Sequence, residues 1–391
     1  MSRTVHVAIL SPEFPPDIGG VETYAFEFVK ELASRGHRVT VFTVRHERGE
    51  VSLPGVEIRP VLKLCRSADA KTIASTQADT WHALNAAYAW VGAIRPESIV
   101  TVHGNDFLRP YYPISQPDLS RVPLAWRWSS DVSRGLRPLW IAMTEGLVRR
   151  SLARSRHVIA NSRYTERVLL ERIPACRGRT SVAFVGVAAH FFGVTREEPT
   201  DGVPRLLTVC RLSEPRKNVD KVLQALATLN GKQRFRYTVV GDGPLRPELE
   251  RLARGLGLGE VVRFTGFVNQ SELLRIYANS DLMVLASSVS AASHEGFGIV
   301  YLEAAASGVP SLAARLAGAA EAVADGVSGM FVDAPTTEQL APALERFLRG
   351  EIRFNSVDCR NFAAGFMWSG VVDHALLYYQ PSHRVHGAAL R

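Results

Sequence analysis

Two glutamates, Glu295 and Glu303, stand with seven residues between them in the segment His294-Glu-Gly-Phe-Gly-Ile-Val-Tyr-Leu-Glu303, which follows an apolar run that predicts a strand. Because Gly296 and Gly298 interrupt regular structure, we expect Glu295 on a loop and Glu303 inside the following helix. The glycines would expose backbone amides to a phosphate at that helix N-terminus, flanked by two carboxylates suited to sugar hydroxyls. An amphipathic helix with two exposed glutamates is the alternative, but it explains neither the glycines nor the preceding strand. Glu303 lies in otherwise apolar sequence, so its carboxylate requires a polar partner.

Two cations follow the strand predicted at Leu206–Cys210, within the segment Arg211-Leu-Ser-Glu-Pro-Arg-Lys-Asn218. Doubly wound proteins bind their ligands at the carboxyl ends of the strands, which is where Arg211 and Lys217 would lie. Two cations there can neutralise a leaving pyrophosphate, and arginine can bind it through two parallel hydrogen bonds. A solvated basic loop is the alternative, and the position at a strand end favours a binding site.

A glycine pair, Gly19 and Gly20, separates the first apolar strand, Val5–Leu10, from an amphipathic helix. Such a pair leaves backbone N–H groups free at the positive end of the helix dipole, where a phosphate or carboxylate can bind. A tight turn without a ligand is an equal alternative. The similar Gly241-Asp-Gly243 segment is interpreted as a structural turn, because turns need these residue types in any case.

His103 ends the strand predicted at Ser98–Val102 and is followed by a glycine. A single histidine is more often a structural residue than a catalytic one, but the strand-end position favours a functional role. Asn105 and Asp106, two and three residues further on, are candidates for the acceptor side of a site. Asp106 would orient His103 or contact the acceptor.

Strands alternate with helices along the whole chain, which predicts parallel sheets with helices on both faces. Two doubly wound units are expected, with residues 1–192 in the first, 193–365 in the second and a helical tail at 366–391. A helix is predicted near Trp81–Ala93. The proline-rich run Arg109–Pro123 and the segment Trp126–Trp140, rich in tryptophan and arginine, interrupt the first unit as a long excursion suited to substrate specificity.

The amino-acid composition limits the classes of protein to which this chain can belong. A chain of 391 residues with 46% hydrophobic and 21% charged residues indicates a folded globular protein of two domains. No apolar run is long enough to span a membrane, and the four separated cysteines favour neither a disulfide framework nor a zinc site, so a cytoplasmic location is expected. The net charge of +8 suggests acidic partners. Nucleic acid is not expected among them, because the arginines form no known binding motif.

These segments together resemble the family-four retaining glycosyltransferases, which have the two-domain glycosyltransferase-B fold. The resemblance runs almost from end to end, and it rests on the order and spacing of motifs that are each weak alone. The motifs are Gly19-Gly-Val-Glu22, His103-Gly104, Asn161-Ser162, Arg211 with Lys217-Asn218, Gly241-Asp-Gly243, Val262-x-Phe-x-Gly-x-Val268 and the glutamate pair. Two departures are Val185-Gly-Val187, where the family often has Asn-Gly-Val, and Ala317-Gly-Ala-Ala-Glu321, where a second glycine is common.

The resemblance implies two Rossmann-like domains facing across a cleft, with a C-terminal helix crossing back to the first domain. It also implies a retaining transfer without a metal ion, in which the leaving phosphate accepts the acceptor proton. By this resemblance, the donor diphosphate would be bound by Gly19, Gly20, Arg211, Lys217 and the backbone amides of Phe297 and Gly298. Glu303 would bind the ribose, and Gly266, Phe267 and Val268 would contact the base. Glu295 would bind hydroxyls of the donor sugar, and His103 would lie near the transferred sugar. His103 and Glu295 are the residues expected at the catalytic centre.

The expected donor is a UDP or GDP sugar, with no separate cofactor. The expected acceptor is a saccharide, a lipid-linked saccharide or a small molecule, in bacterial cell-surface polysaccharide, glycolipid or glycosylated-metabolite biosynthesis. A nucleotide-sugar epimerase of the same fold is one alternative, although the excursion in the first unit favours an acceptor site. A non-catalytic partner subunit is another, although the donor motifs are intact. Basic and aromatic residues mix in Arg121–Arg137 and Arg149–Arg156, which suggests an anionic membrane surface as a further partner or, alternatively, a solvated basic face.

Overall fold

The computed structural model describes residues 4–17, 19–46, 49, 51–110, 112, 114–115, 130–197 and 201–379, without the side chains of residues 130–137. The chain divides into two compact units. Unit one comprises residues 1–160, 166–183 and 369–391, and unit two comprises residues 161–165 and 184–368. Residues 116–129, which include much of the predicted excursion, and the tail from residue 380 onward lie outside the described residues. Of Arg121–Arg137, the structure describes only the backbone of residues 130–137.

Unit one is built on a seven-stranded sheet in which every described pairing is parallel, in the order β3-β2-β1-β4-β5-β6-β7. The strands are β1 (His6–Leu10), β2 (Arg38–Val44), β3 (Val56–Leu62), β4 (Thr80–Ala83), β5 (Ile99–Val102), β6 (His157–Ala160) and β7 (Thr180–Val182). The central strands are buried along their length, as expected when helices cover both faces of a parallel sheet.

Among the described residues, the first part of the chain forms five α-helices and a long 3₁₀ segment, Ala86–Ala93. The helices are α1 (Gly20–Ser34), α2 (Arg66–Ser75), α3 (Asn105–Leu108), α4 (Ser130–Leu152) and α5 (Arg163–Arg172). In α1, Tyr24, Phe28 and Leu32 are buried, which is the spacing of four residues that places side chains on one helix face. The first three residues of α5 group with unit two.

The predicted helix near Trp81–Ala93 is wrong in its first part. Thr80–Ala83 forms β4, which pairs with β1 in the register Ala8↔Trp81 and with β5 in the register His82↔Ile99. All four residues of the strand are buried. A fully buried strand and a buried helix give the same uninterrupted apolar pattern, so periodicity cannot separate them in so short a run.

Helix α2 was not predicted, because only Asp69 and Ile73 are buried in it and no apolar stripe is visible. Asp69 holds its N-terminus in place. The carboxylate accepts hydrogen bonds from the backbone N–H of Lys63 at 2.8 Å and from the hydroxyl of Tyr88 at 2.8 Å. A long-range capping network of this kind leaves no periodic signal in the sequence.

The C-terminal residues pack in unit one. Helix α13 (Trp368–Leu376) is joined to α1 by an ion pair between Arg35 and Asp373, and the guanidinium of Arg35 also donates to the carbonyl of Ser369 at 2.8 Å. Beyond the helix, the ring of Tyr378 stacks on His157 with 3.6 Å between centroids. The last described turn is therefore fixed to the sheet of unit one.

Unit two contains a six-stranded sheet, also parallel in every described pairing, in the order β10-β9-β8-β11-β12-β13. Its strands are β8 (Arg205–Val209), β9 (Arg236–Val240), β10 (Val262–Gly266), β11 (Leu282–Leu285), β12 (Ser311–Ala314) and β13 (Gly329–Val332). Its helices are α6 (Val219–Leu229), α7 (Arg246–Gly255), α8 (Gln270–Ala278), α9 (Ile299–Ala306), α10 (Ala319–Ala322), α11 (Thr337–Leu348) and α12 (Ser356–Ala363). The prediction of two doubly wound parallel sheets is confirmed.

The order of strands in unit two determines where chemistry can occur. β8 lies at the centre, and the chain leaves it in one direction to β9 and enters its other neighbour, β11, later. The point where strand order reverses is a crevice at the carboxyl ends of the strands. The loops that follow β8 and β11 carry residues 210–218 and 286–298, so both predicted donor segments come to this crevice.

Candidate functional site

The loop after β8 is fixed to the loop after β11 by Asn218. Asn218 has a left-handed backbone conformation, with φ of 54°, which asparagine tolerates better than most residues. Its side-chain amide donates to the carbonyl of Ala286 at 2.6 Å and to the hydroxyl of Ser288 at 3.0 Å. The backbone N–H of Ser288 donates to the carbonyl of Arg216 at 2.8 Å. The two loops therefore form one rigid unit.

Glu295 sits on the loop before α9, as predicted, and is surrounded by cations and a hydroxyl. Its Oε2 lies 2.6 Å from Nζ of Lys217 and 3.5 Å from a guanidinium nitrogen of Arg216. The hydroxyl of Ser287 donates to the same oxygen at 3.0 Å. Only 12% of the Glu295 side chain is exposed. Three partners on one oxygen leave the second oxygen of Glu295 as the better acceptor for a ligand.

These partners decide the charge of Glu295. Burial alone would raise the pKa of the carboxyl, but Lys217 and Arg216 outweigh it and lower the pKa of Glu295 to about 2. Glu295 is therefore ionised at any physiological pH. An ionised carboxylate accepts hydrogen bonds from hydroxyls and cannot serve as a proton donor.

Glu303 lies inside α9, as predicted, in a different environment. It is 7% exposed, and the hydroxyl of Tyr277 donates to its Oε2 at 3.2 Å. Burial raises its pKa to about 7, against the opposing hydrogen bond from Tyr277. Tyr277 is thus the polar partner that the sequence required. No cation among the described residues lowers the pKa of Glu303, so this carboxyl gains or loses its proton near neutral pH, and this distinguishes it from Glu295.

The amides of Phe297 and Gly298 lie at the N-terminus of α9. Within the described residues neither N–H donates to a protein acceptor, and α9 has no side-chain cap. The ring of Phe297 is buried against Phe184 and Phe366, with centroids 5.6 and 5.7 Å away, so its backbone is held in place. Two fixed, unused N–H groups at a helix N-terminus are suited to a phosphate oxygen.

Arg211 is exposed, and its side chain has no hydrogen-bond or ion-pair partner among the described residues. Arg216, in contrast, pairs with Glu214 at 2.7 Å. The charge of Arg216 is therefore largely used within the loop, whereas that of Arg211 is available to a ligand. Together, Arg211, Lys217 and the two amides offer several donors to an anionic group on this side of unit two.

Gly318 keeps the Glu295 loop in its position. Its N–H donates to the carbonyl of Glu295 at 3.0 Å, and a Cβ at this position would lie 2.2 Å from the carbonyl oxygen of Gly296. The adjacent Ala317 occupies the left-handed region, with φ of 51°. The segment Ala317-Gly-Ala-Ala-Glu321, which departs from the family pattern, therefore includes a close contact between Gly318 and the backbone of Gly296 that only glycine permits.

We expect Gly318→Ala to lower the free energy of unfolding by about 2–3 kcal/mol, because overpacking against backbone forces the loop to shift. The same shift should weaken binding of a nucleotide sugar. Gly255→Ala is the matched control, since a Cβ there meets no heavy atom within 4 Å. Chemical denaturation of both variants measures the difference, and equal stability of the two would contradict the close packing of Gly318.

The predicted base-contacting residues end β10. The carbonyl of Gly266 accepts from the N–H of Gly241 at 2.9 Å, which places the two strand ends side by side. Phe267 is 48% exposed, unusual for a large aromatic side chain, and Val268 is partly buried. An exposed ring at the end of a strand is suited to stacking on a planar ring such as a base.

In unit one, Gly19 is the N-cap of α1 and supplies no side chain, so the first N–H groups of the helix are uncapped. Glu22 lies in the first turn, is 7% exposed and has one carboxylate oxygen without a hydrogen bond among the described residues. A carboxylate at this position favours the helix but repels a phosphate. The Gly19-Gly20 turn is therefore better suited to a neutral sugar or to a cation-compensated phosphate than to a phosphate alone.

His103 ends β5 and is held at two atoms. Its Nε2 donates to the carbonyl of Leu84 at 3.1 Å, and its backbone N–H donates to Oδ1 of Asp106 at 2.9 Å. Burial lowers the pKa of His103, so the ring is neutral with Nδ1 as its acceptor atom. The other oxygen of Asp106 accepts from the N–H of Ala86 at 2.9 Å. Asp106 is 2% exposed and orients this turn, whereas Asn105 is partly exposed.

Three residues in these arrangements were missed in the sequence. Arg216 and Ser287 contact Glu295, and Tyr277 contacts Glu303. Arg216 could have been found, because it stands next to Lys217 in the same loop. Tyr277 lies 26 residues before Glu303 on another helix, and only the fold brings the two together. No group of three or more metal-ligating side chains occurs among the described residues.

Two family descriptions match consecutive parts of the chain. Residues 18–190 match Glycosyltransferase Family 4, and residues 195–362 match Glycosyl transferases group 1. The first match covers most of the unit that contains His103, and the second covers the loops that contain Arg211, Lys217, Glu295 and Glu303.

Known relatives are similar along nearly the whole chain. The D-inositol 3-phosphate glycosyltransferase of Geodermatophilus obscurus is 30% identical, over 96% of this chain and 88% of that protein. The GDP-mannose-dependent alpha-(1-6)-phosphatidylinositol monomannoside mannosyltransferase of Mycobacterium tuberculosis is 28% identical, over 89% of each.

Solved structures show the same fold. Sucrose-phosphate synthase from Thermosynechococcus elongatus is similar with a TM-score of 0.74 at 20% identity, over 96% of this chain and 98% of that chain. Anabaena HepE in complex with UDP-glucose is similar with a TM-score of 0.69 at 20% identity, over 95% of this chain and 98% of that chain.

Proposed function

This chain belongs to the family-four glycosyltransferases with the glycosyltransferase-B fold, and we propose that it moves a hexosyl group from a nucleotide-diphosphate sugar to a hydroxyl acceptor with retention of the anomeric configuration. The observation that carries this proposal is the Lys217–Glu295 pair at 2.6 Å, with Glu303 buried in the helix that follows. The crevice at the strand ends offers a different group to each part of a nucleotide sugar. The ionised carboxylate of Glu295 suits the sugar hydroxyls, the titratable carboxylate of Glu303 suits the ribose, and the cation of Lys217 suits the diphosphate.

In the proposed reaction, the bond between the anomeric carbon and the diphosphate oxygen breaks, and a bond from the acceptor oxygen forms on the same face of the sugar. The acceptor proton passes to the leaving phosphate. Negative charge grows on that phosphate, and Lys217, Arg211 and the amides of Phe297 and Gly298 stabilise it without a metal ion. Lys217 has three N–H donors, so it can keep its contact with Glu295 while it binds the diphosphate.

Glu295 accepts hydrogen bonds from hydroxyls of the donor sugar, and Glu303 accepts them from the ribose. His103 is assigned to the transferred sugar, through the Nδ1 acceptor that its Nε2 contact with Leu84 leaves available. Gly266, Phe267 and Val268 contact the base, and the amides of Gly19 and Gly20 contact the donor. UDP and GDP sugars are the proposed donors, since one relative is named for GDP-mannose and one structural neighbour contains UDP-glucose.

The acceptor is proposed to be a saccharide or small molecule that carries phosphate or lipid, as the names of the relatives suggest.

Helix α4 supports the further proposal that the protein binds at a membrane surface. Its side chains Leu139 and Met143 are 55% and 52% exposed, four residues apart on one face, and Arg149 and Arg150 follow in its last turn. No described helix is long and apolar enough to cross a membrane. Flotation with anionic and neutral liposomes tests this, and equal recovery with both would contradict it.

The transfer itself is tested by the stereochemistry of the product. We expect the anomeric proton of the product, observed by NMR, to show the configuration of the donor, in buffer containing EDTA as well as without it. An inverted product, or activity lost in EDTA and restored by a divalent cation, would contradict the proposed mechanism. A changed donor sugar without any acceptor would instead indicate a nucleotide-sugar epimerase. No reaction and no nucleotide binding with any donor would favour the non-catalytic alternative.

A further inference from the structure

One sheet face of unit two carries arginine and threonine where apolar residues are expected. In β8 and β9, Arg205 lies opposite Arg236, and in β9 and β10, Thr238 lies opposite Arg263. Opposite residues on neighbouring strands point to the same face, and so do alternate residues such as Arg236 and Thr238. Faces of parallel sheets are normally covered by apolar contacts. Three arginines on one such face need a physical explanation.

Helix α8 and the turn after it cover this face and leave a pocket of about 350 Å³. From the helix side, Glu272, Arg275, Ile276 and Asn279 line the pocket. From the sheet side, the lining residues are Arg205, Leu206, Arg236, Thr238, Arg263 and Thr265. Ser280, in the turn after α8, also lines the pocket, and its hydroxyl donates to the carbonyl of Ile276 at 2.7 Å. The pocket thus contains four guanidinium groups and the hydroxyls of Thr238 and Thr265, all of which can act as hydrogen-bond donors to a ligand.

Within the part of the chain that the structure describes, two of the four arginines pair with a carboxylate. Arg205 lies 3.5 Å from a carboxylate oxygen of Asp281 and donates to the amide oxygen of Asn279 at 2.8 Å. Arg236 lies 2.8 Å from Asp201.

The side chains of Arg263 and Arg275 contact no carboxylate among the described residues, although Glu272 lines the same pocket. Like charges on adjacent strands are destabilising, so a bound anion would stabilise this face.

The pocket is separate from the donor loops. Arg205 and Arg236 are the first residues of their strands, whereas Arg211 and Lys217 follow the end of β8. A strand of five residues is about 16 Å long, so the pocket lies at the amino ends of the strands and the donor loops lie at their carboxyl ends. A nucleotide sugar bound at the carboxyl edge would not fill the pocket.

We infer that this pocket is a second ligand site, which binds the phosphate of a small phosphomonoester through Arg263, Arg275 and the hydroxyls of Thr238 and Thr265. Arginine forks match the geometry of a phosphate, and threonine hydroxyls supply further donors. The volume lies at the low end of the range for small-molecule sites, which suits a sugar phosphate rather than a polymer. Asn279 and Glu272 are positioned to contact the polar part that carries the phosphate.

The test is calorimetric titration of the full chain with glucose 6-phosphate, with inorganic phosphate and glucose in separate titrations. We expect saturable binding of glucose 6-phosphate, tighter than that of inorganic phosphate, and at least tenfold weaker binding in the double variant Arg263→Gln with Arg275→Gln. The control Arg254→Gln with Arg346→Gln removes two exposed arginines from other helices of unit two and should bind like the wild type. Circular dichroism of both variants verifies the fold.

Four results would overturn the inference. The first is the absence of saturable binding of either phosphate. The second is equal affinity in the wild type and in the Arg263 and Arg275 double variant. The third is binding that Lys217→Ala abolishes and the double variant does not, because the phosphate would then occupy the donor loop. Binding of inorganic phosphate with no preference for glucose 6-phosphate would also overturn it, as an adventitious ion only.

Discussion

Replacing Lys217 with alanine is expected to lower kcat/KM for sugar transfer about a thousandfold. In the proposed reaction, the removed ammonium stabilises charge that develops on the leaving diphosphate, and removal of one such donor costs about 3–4 kcal/mol in the transition state. Glu295, only 12% exposed, also loses its shortest contact, at 2.6 Å. A buried carboxylate without its main partner is unfavourable, so the variant should also lose stability. Steady-state kinetics and chemical denaturation measure the two effects separately.

Lys221→Ala is the matched control, because it removes the same charge four residues along the chain. Lys221 is 42% exposed, and its nearest carboxylate oxygen, on Asp220, is 3.8 Å away. Exposed pairs of this kind contribute less than about 1 kcal/mol, so this variant should behave like the wild type. Equal losses of activity in both variants would mean that overall charge, and not the position of Lys217, supports the reaction.

Glu303→Gln is expected to weaken nucleotide-sugar binding between tenfold and a hundredfold at pH 8, because hydrogen bonds to a charged acceptor contribute about 1.5–3 kcal/mol. In the wild type, the pKa of Glu303 is about 7. The carboxylate form binds ribose hydroxyls better, so affinity should rise as pH increases from 6 to 8. Glutamine removes this dependence. A nucleotide sugar is the right probe, because its diphosphate has no terminal phosphate that titrates in this range.

The same residue makes the stability of the protein depend on pH. The pKa of Glu303 is raised from 4.5 in the unfolded chain to about 7, so the folded protein binds more protons between these values. Stability therefore falls as pH rises through this window, by up to about 3 kcal/mol. Glu303→Gln should gain stability relative to the wild type over the same window. A difference between the two proteins that is constant from pH 4.5 to 8 would contradict the buried, cation-free environment of Glu303.

Glu295 has the opposite dependence. Its pKa is lowered from 4.5 to about 2, so its contribution is present above pH 4.5 and is lost as pH falls toward 2. The two glutamates, with seven residues between them in the sequence, therefore affect stability in separate pH ranges. Burial raises the pKa of both groups, and only Glu295 has cations that reverse the effect.

The strand-end segments of unit two could be predicted from the sequence because they combine local signals. Gly296 and Gly298 stop regular structure, the apolar run after them begins a helix, and the positions of Arg211 and Lys217 follow from the end of a strand. In each case a residue type and its immediate neighbours determine the local geometry. The two doubly wound sheets followed from the alternation of strands and helices for the same reason.

The missed features depend on contacts between distant segments. Tyr277 belongs to α8 and reaches Glu303 in α9 only because both helices pack in unit two. β4 was taken for a helix because it is buried on both faces between β1 and β5. The arginine-lined pocket is visible only from strand register, since Arg205, Arg236 and Arg263 are distributed over three strands. Pairing between strands is not encoded in any one segment.

The central claim is that the loops after β8 and β11 bind the donor, with Lys217 on the diphosphate and Glu303 on the ribose. Calorimetric titration of the wild type, Lys217→Ala, Glu303→Gln and Lys221→Ala with UDP-glucose and GDP-mannose at pH 8 tests it most directly. We predict saturable binding of at least one donor, at one site per chain, weakened at least tenfold in the Lys217 and Glu303 variants and unchanged in the Lys221 variant. Equal affinity in all four proteins, or no binding of either nucleotide sugar to the wild type, would contradict it.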